Sequence, residues 1–280
     1  MPRPPAPLIK EFTHDGRRVS YAEHGSGPRV LVLTHGLLMD RRMYTALAPA
    51  VAARGHRVIT VDMVGHGSSD QPLDMSAHTM TQYGSDVIAL LDHLGVDQAV
   101  IGGTSLGANV SLEAAVAAPE RVRALVLEMP VLEHGIVAAA AVFVPLAIAL
   151  RVGKRNMARL ARLLRLVPRS HFLVDVFIDF VRRDPLSSLA VLDGLTFGRI
   201  APPAAVRKQL RHPTLIIGHR ADPIHPFSDA EFTARELPNA RLLAAKSIYE
   251  WRLSPRRLTD ELCRFLDDVW SRPVEVAAAS

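Results

Sequence analysis

The 280-residue chain has a single cysteine, Cys263, and only 5% aromatic residues. One cysteine excludes a disulfide within the chain, and its place on the apolar side of a predicted C-terminal helix favours a structural thiol over a reactive one. Residues 1–7 contain four prolines and no apolar run, so we expect no secretory signal or lipidation motif there. We therefore expect a cytoplasmic protein.

Two kinds of binding site are also missing from the sequence. The net charge of +5 would suit a nucleic-acid partner, but arginine is spread along the chain and no known nucleic-acid motif accompanies it. No spacing of His, Asp or Glu resembles a metal-ligand cluster. We expect no nucleic-acid partner, no metal and no cofactor.

Short runs of Val, Ile and Leu alternate with longer segments of helical period. This alternation is typical of parallel strands joined by crossover helices, and it predicts a doubly wound α/β fold. The predicted strands follow a hairpin at Asp15-Gly16 and cover residues 30–33, 57–61, 99–102, 124–127, 214–217 and 241–243. Helical periodicity over residues 80–94 and 258–269 predicts two helices that cover the sheet.

Residues 130–212 interrupt the alternation with successive helical segments. We predict a helical cap there, inserted into a core formed by residues 1–129 and 213–280. Residues 136–150 are nearly all apolar but contain Pro145 and fall short of the roughly 20 residues that span a bilayer. They predict a buried or ligand-lining helix.

Basic residues concentrate in residues 151–169, between apolar residues at helical spacing. This pattern predicts a basic amphipathic helix in the cap. Two roles stay open for it. It either covers a pocket as a solvated helix or makes weak, transient contact with anionic lipid.

A sharp strand-to-helix turn is predicted at Gly103-Thr104-Ser105-Leu106-Gly107. The motif G-x-S-x-G follows a predicted strand and opens a predicted helix, which is the context in which the serine is exposed as a nucleophile. Backbone N–H groups at the helix N-terminus would stabilise negative charge there. The alternative is a serine that only caps the helix.

Two further motifs precede this turn. His35-Gly36 follows the strand at residues 30–33, and Asp62-Met63-Val64-Gly65-His66-Gly67-Ser68-Ser69 follows the next strand. With Ser105 these motifs resemble the α/β-hydrolase family over roughly residues 10–270. The resemblance implies a mostly parallel sheet of the eight-stranded type, but the fold also serves lyases, cyclases and inactive receptors.

The resemblance also implies roles for individual residues. The backbone N–H groups of Leu37 and Leu106 would form the oxyanion hole and bind substrate, while His35 and His66 would brace loops. The family's acid corresponds to Asp222, after the strand at residues 214–217. Glu128, at the end of the preceding strand, is an alternative acid.

The chain departs from the family pattern at the general base. The family's histidine follows the last strand, but the loop at residues 244–252 contains none, and His225 is the last histidine in the chain. His225 lies on the Asp222 loop and is the first substitute, with packing of the loop as its alternative role. His134, at the start of the cap, is a second candidate.

We expect a cofactor-independent hydrolase that cleaves an ester, thioester or lactone of a largely apolar small molecule through attack by Ser105. A non-hydrolytic enzyme of the same fold, such as a cyclase or lyase, is one alternative. A binding protein without turnover is the other. The sequence predicts neither the substrate itself nor the oligomeric state.

Overall fold

An eight-stranded sheet forms the centre of the computed structural model, which describes residues 7–164, 182–222, 224–248 and 250–273. The strand order is β1-β2-β4-β3-β5-β6-β7-β8. Strand β2 is antiparallel to both β1 and β4, and the other pairs are parallel. The predicted doubly wound, mostly parallel sheet is confirmed. The strands are β1 Leu8–His14, β2 Arg17–His24, β3 Val30–Thr34, β4 Arg57–Asp62, β5 Ala99–Thr104, β6 Val122–Glu128, β7 Thr214–His219 and β8 Ala240–Ala245.

The strands form where apolar β-branched residues are buried on both faces of the sheet. Successive residues point to opposite faces, so Val32 and Ile101 belong to one core cluster while Leu33 and Val100 belong to the other. The predicted hairpin joins β1 and β2 through Asp15 and Gly16, which have φ values of 49° and 73°.

Helices cover both faces of this sheet. Residues of α2, α3 and α7 pack in the first cluster, and residues of α1, α8 and α9 pack in the second. In the described ranges the helices are α1 Leu47–Ala52, α2 Met80–His93, α3 Leu106–Ala117, α4 Glu133–Leu164, α5 Pro185–Phe197, α6 Ala204–Arg207, α7 Phe227–Glu236, α8 Glu250–Leu253 and α9 Arg256–Ser271. Short 3₁₀ turns occur at Arg41–Tyr44, Met75–His78 and Pro119–Arg121.

Between β6 and β7, the described residues contain helices α4, α5 and α6 and no strand. The division into core and cap at residues 130 and 212 stays a prediction. Residues 165–169 of the predicted basic helix lie outside the described residues.

Helix α4 is longer than expected from the apolar run at residues 136–150. It has 32 residues with Pro145 inside, and its segment His134–Gly153 is long and apolar enough, by length and composition, to cross a membrane. This segment is longer than the run itself, because the helix continues past both ends of the run. Residues of the run line a cavity, as expected for a ligand-lining helix. Only 17% of the segment is buried, although one side of it packs against α5.

Candidate active site

Ser105 occupies the turn between β5 and α3. Its φ of 55° and ψ of −111° are unusual for a residue with a side chain, and such a conformation costs roughly 1–3 kcal/mol. The Ser105 N–H donates a hydrogen bond to the Glu128 carbonyl at 2.8 Å, so strand β6 holds the turn in place. The side chain projects into a cavity rather than capping α3, since no side-chain cap hydrogen bond forms.

The glycines around Ser105 allow strand and helix to approach closely. A Cβ at Gly103 would lie 2.5 Å from the Thr34 carbonyl oxygen, and a Cβ at Gly107 would collide with the same carbonyl. The Thr34 hydroxyl lies 3.1 Å from the Gly107 carbonyl oxygen and 3.2 Å from that of Gly102. Strand β3 therefore packs directly against the turn.

His225 lies next to Ser105. Its Nε2 is 2.8 Å from Ser105 Oγ, and its Nδ1 is 2.9 Å from Asp222 Oδ2. Ring Nδ1–H donating to the carboxylate leaves Nε2 free to accept the serine proton, which is the tautomer that a general base needs. The structure thus brings together the three residues that the sequence singles out.

Asp222 can serve this ring from only three residues away because its two oxygens have separate partners. Oδ1 accepts the backbone N–H groups of Ile224 at 2.8 Å and His225 at 3.0 Å, and Oδ2 faces the ring. Burial would raise the pKa of the Asp222 carboxyl, but the hydrogen bond and charge of His225 outweigh it, so the pKa is lowered. The carboxylate is ionised at neutral pH.

The two alternative candidates lie elsewhere. His134 Nδ1 is 2.9 Å from Asp229 Oδ1 at the start of α4, so this ring is paired with a different carboxylate and not with Ser105. The Glu128 carboxylate accepts from the Thr104 hydroxyl at 2.5 Å and from Arg252 Nη2 at 2.7 Å. These contacts do not suit His134 to act as the base of Ser105, or Glu128 to act as the acid that orients His225.

Glu128 and Arg252 form a buried ion pair beneath the turn. Burial would raise the pKa of the Glu128 carboxyl, but the charge and hydrogen bond of Arg252 and the neighbouring His219 outweigh it and lower the pKa to about 2. Arg252 belongs to α8, in the chain segment where the family's histidine is expected. Since the Glu128 carbonyl also accepts the Ser105 N–H, the pair anchors the strand end that supports Ser105.

The predicted oxyanion-hole residues, Leu37 and Leu106, both line the cavity beside Ser105. Leu106 is the first residue of α3, where backbone N–H groups have no acceptor within the helix. The loop that carries Leu37 is braced by two buried imidazoles: His35 Nε2 accepts the Met63 N–H at 3.1 Å, and His66 Nε2 accepts the Leu38 N–H at 3.3 Å.

Both bracing rings are neutral. Burial lowers the pKa of His35 to about 4 and places the pKa of His66 well below its usual value. The second nitrogen of each ring faces a carbonyl oxygen, that of Gly36 at 2.8 Å and that of Val64 at 3.1 Å. These contacts match the loop-bracing role implied by the resemblance.

An apolar cavity of about 190 Å³ opens above Ser105. Helices α4 and α5 supply much of its wall, including Ile136, Phe143 and Leu192, and Ile224 and His225 close one side. In the described part of the chain, His225 is the only titratable side chain in the lining. Such a lining favours a neutral, apolar group.

Three side chains of this region carry no motif and were missed by sequence reasoning. Arg252 pairs with Glu128 across 124 residues. The Asn109 side chain bonds the backbone of Val131 and Ile200 at 2.7 and 2.8 Å. The Asp229 carboxylate accepts backbone N–H groups at the start of α4. Such long-range partners leave no local signal in the sequence.

Comparisons with known proteins agree with this architecture. Residues 29–247 match the family model of the alpha/beta hydrolase fold. The solved structure of an enol-lactonase from Burkholderia xenovorans superimposes with a TM-score of 0.75 and 21% identity, covering 92% of this chain and 100% of the other. A hydrolase from Pseudomonas aeruginosa gives a TM-score of 0.75 at 24% identity, covering 92% and 98%. At these identities the likeness shows the fold alone.

A curated relative matches over a shorter stretch. An epoxide hydrolase of Caballeronia sordidicola is 34% identical over 130 residues, which are 45% of this chain and 39% of the relative. The match therefore spans well under half of that protein. From the family model, which covers most of the chain, and from the strand order around Ser105, we conclude that the chain belongs to the α/β-hydrolase family.

Proposed function

We propose that the protein is a serine hydrolase that cleaves an ester, thioester or lactone bond of a neutral, largely apolar small molecule. The supporting observation is the chain of contacts from Ser105 Oγ through the His225 ring to the Asp222 carboxylate, at 2.8 and 2.9 Å. A serine hydroxyl becomes a competent nucleophile when a base within hydrogen-bonding distance takes its proton. The enzymes named among its relatives, an epoxide hydrolase and an enol-lactonase, also act by hydrolysis.

In the proposed reaction, Ser105 Oγ attacks the substrate carbonyl carbon while His225 Nε2 takes the hydroxyl proton. The carbonyl oxygen becomes an oxyanion and accepts the N–H groups of Leu37 and Leu106. Collapse of this intermediate breaks the bond to the leaving alcohol or thiol, which receives the proton from His225. Water then attacks the acyl-enzyme while His225 takes a proton from it. Collapse of this second intermediate breaks the bond to Ser105 Oγ, which receives the proton from His225, and the acid is released.

The cavity limits the acyl group that fits. A cavity of about 150 Å³ holds one benzene molecule, so the 190 Å³ here accommodates one aromatic ring or a short aliphatic chain. Because the lining in the described residues carries no lysine, arginine or carboxylate, a charged acyl group would lose its hydration without gaining a partner. We therefore expect neutral esters to be preferred over charged ones of equal size.

The proposal is tested with p-nitrophenyl esters of acetate, butyrate and benzoate, together with a fluorophosphonate probe. We expect hydrolysis and a covalent adduct on Ser105, detected by mass spectrometry. Ser105→Ala and His225→Ala should each lower kcat by at least about 10³-fold. His134→Gln removes the rival histidine and serves as the matched control, with kcat close to that of the wild type.

Equal labelling of the wild type and Ser105→Ala would contradict the assignment of the nucleophile. A kcat of His225→Ala close to that of the wild type would contradict the assignment of the base. A stable complex with an apolar ester that is neither hydrolysed nor covalently bound would instead support a binding protein.

A further inference from the structure

The outer face of helix α4 is apolar and exposed. Its segment His134–Gly153 has a mean hydropathy of 2.2, yet only 17% of it is buried. Val137, Ile148 and Val152 are 74%, 54% and 85% exposed. Soluble monomers rarely expose an apolar patch of this length without a binding role for it.

Four of the exposed apolar residues fall on one stripe. At about 100° per residue, Val137, Val144, Ile148 and Val152 lie within an arc of about 80°, along about 22 Å of helix. The opposite side carries the buried residues Ala147 and Leu150, which pack against α5. The outer stripe is therefore a continuous surface that the described fold leaves uncovered.

The same stripe becomes basic toward the end of the helix. Arg159 and Arg162 are exposed and continue the line of Val144 and Ile148 at helical spacing. Helix α4 contains five basic residues, Arg151, Lys154, Arg155, Arg159 and Arg162, and its only acidic residue, Glu133, stands at its first position. One outer surface thus combines an apolar half with a cationic half.

An anionic lipid surface suits this combination better than a second copy of the chain or a membrane-spanning position of α4. An apolar stripe beside basic residues is the pattern of a helix that lies in the interface of an anionic bilayer, with its apolar side chains among the acyl chains and its cations at the headgroups. A second copy of the chain would bring up the same basic half, so like charges would face each other. Spanning the bilayer would require α4 to leave α5 and the cavity wall.

We propose that α4 docks on an anionic lipid surface through Val137, Val144, Ile148 and Val152, with Arg159 and Arg162 at the headgroups. Ile136 and Val144 are exposed and also line the cavity, so docking sets the cavity wall against the lipid. The docking does not depend on hydrolysis. Delivery of apolar substrate from the lipid to Ser105 is a second step, and that step rests on the proposed function.

The test is flotation of the full chain with vesicles of phosphatidylcholine alone and of phosphatidylcholine mixed with phosphatidylglycerol. We expect the protein to float with the mixed vesicles only. The variants Ile148→Glu/Val152→Glu and Arg159→Glu/Arg162→Glu should each weaken the partition at least about tenfold, because each removes one half of the surface. The matched control is Leu8→Glu/Leu253→Glu, which places the same charges at exposed leucines outside the cap, 63% and 60% exposed.

Ser105→Ala should float like the wild type, which separates the docking from the proposed catalysis. Each variant is also assayed on a water-soluble ester, and its far-UV spectrum verifies folding. Equal flotation with both vesicle types, or flotation unaffected by Ile148→Glu/Val152→Glu, would overturn the proposal. So would absence of flotation together with a dimer in solution that Ile148→Glu/Val152→Glu converts to a monomer, because a second copy would then cover the stripe.

Discussion

At the scale of single residues, Asp222 divides its carboxylate between a backbone turn and an imidazole. Oδ1 holds the N–H groups of Ile224 and His225, and Oδ2 holds His225 Nδ1. Asp222 therefore fixes both the position of the His225 ring and its tautomer. In the proposed mechanism, an acid and a base three residues apart can serve one serine because the turn itself supplies the geometry that two separate loops would otherwise provide.

Asp222→Asn tests this division. Its amide oxygen can still accept the backbone N–H groups, but its NH₂ would then face Nδ1 and place the ring proton on Nε2, pointing at Ser105. We expect kcat to fall by about 10²–10⁴ with the fold retained, as for the wrong histidine tautomer in a serine protease. The measurement is kcat and KM on a p-nitrophenyl ester, with thermal unfolding as the check of the fold.

Asp74→Asn is the matched control, since Asp74 accepts the Ser76 N–H at 2.9 Å in a comparable turn away from the cavity. We expect its kcat to match that of the wild type. If Asp222→Asn retained kcat within about threefold, orientation of His225 by Asp222 would be unnecessary for the reaction.

At the scale of elements, the buried pair of Glu128 and Arg252 ties strand β6 to helix α8. Arg252→Met would leave an ionised carboxylate without its cation in the interior. Such a loss costs about 3–5 kcal/mol. We expect the free energy of unfolding, measured in urea, to fall by that amount, and activity to fall with it because β6 supports the Ser105 turn.

The control is Arg264→Met, which removes an exposed partner of Glu261 and should cost less than about 1 kcal/mol. The double variant Glu128→Gln/Arg252→Met should recover a large part of the lost stability, because no unpaired charge remains. If Arg252→Met were as stable as the wild type, the Glu128 carboxylate would have found another partner or become protonated.

The elements differ in how well the sequence predicts them. Central strands such as β3 and β5 are predicted to within two residues, because burial on both faces requires unbroken apolar runs. Helix α4 is underestimated, since the apolar run marks only part of a helix whose length depends on tertiary contacts. The Ser105 turn follows from its motif, and the closeness of His225 follows from elimination. The pairing of Glu128 with Arg252 could not be predicted, because it joins distant segments.

For the whole molecule, buried neutral histidines set the dependence of stability on pH. The pKa of His35 is about 4 in the fold and 6.5 without it, and burial and the neighbouring His35 hold the pKa of His66 well below its usual value. The unfolded chain therefore binds more protons as pH falls through this range, which favours unfolding. His219 changes stability in the opposite direction, because its pairing with Glu128 outweighs burial and raises its pKa. Histidines with a lowered pKa are more numerous: His24, His35, His56, His66, His78 and His212.

We therefore expect the free energy of unfolding to decrease from pH 7 to pH 4. His35 alone contributes roughly 3 kcal/mol to this decrease. Below about pH 4.5, protonation of Glu128 in the unfolded chain adds to the loss, down to its folded pKa of about 2. Urea unfolding at a series of pH values measures how the free energy of unfolding changes with pH. A free energy of unfolding that stays constant between pH 7 and pH 4 would contradict the presence of buried neutral imidazoles.

Helix α7 links His225 to the start of helix α4. It begins at Phe227, two residues after His225, and Asp229 in its first turn accepts the N–H groups of Leu132 and Gly135 at the start of α4, at 2.8 and 2.7 Å. The start of α4 and the loop that carries His225 are thus joined through one helix. We expect a displacement of α4 that admits a substrate to shift Asp229 and, through α7, the His225 ring. Entry of substrate and alignment of His225 with Ser105 would then be coupled.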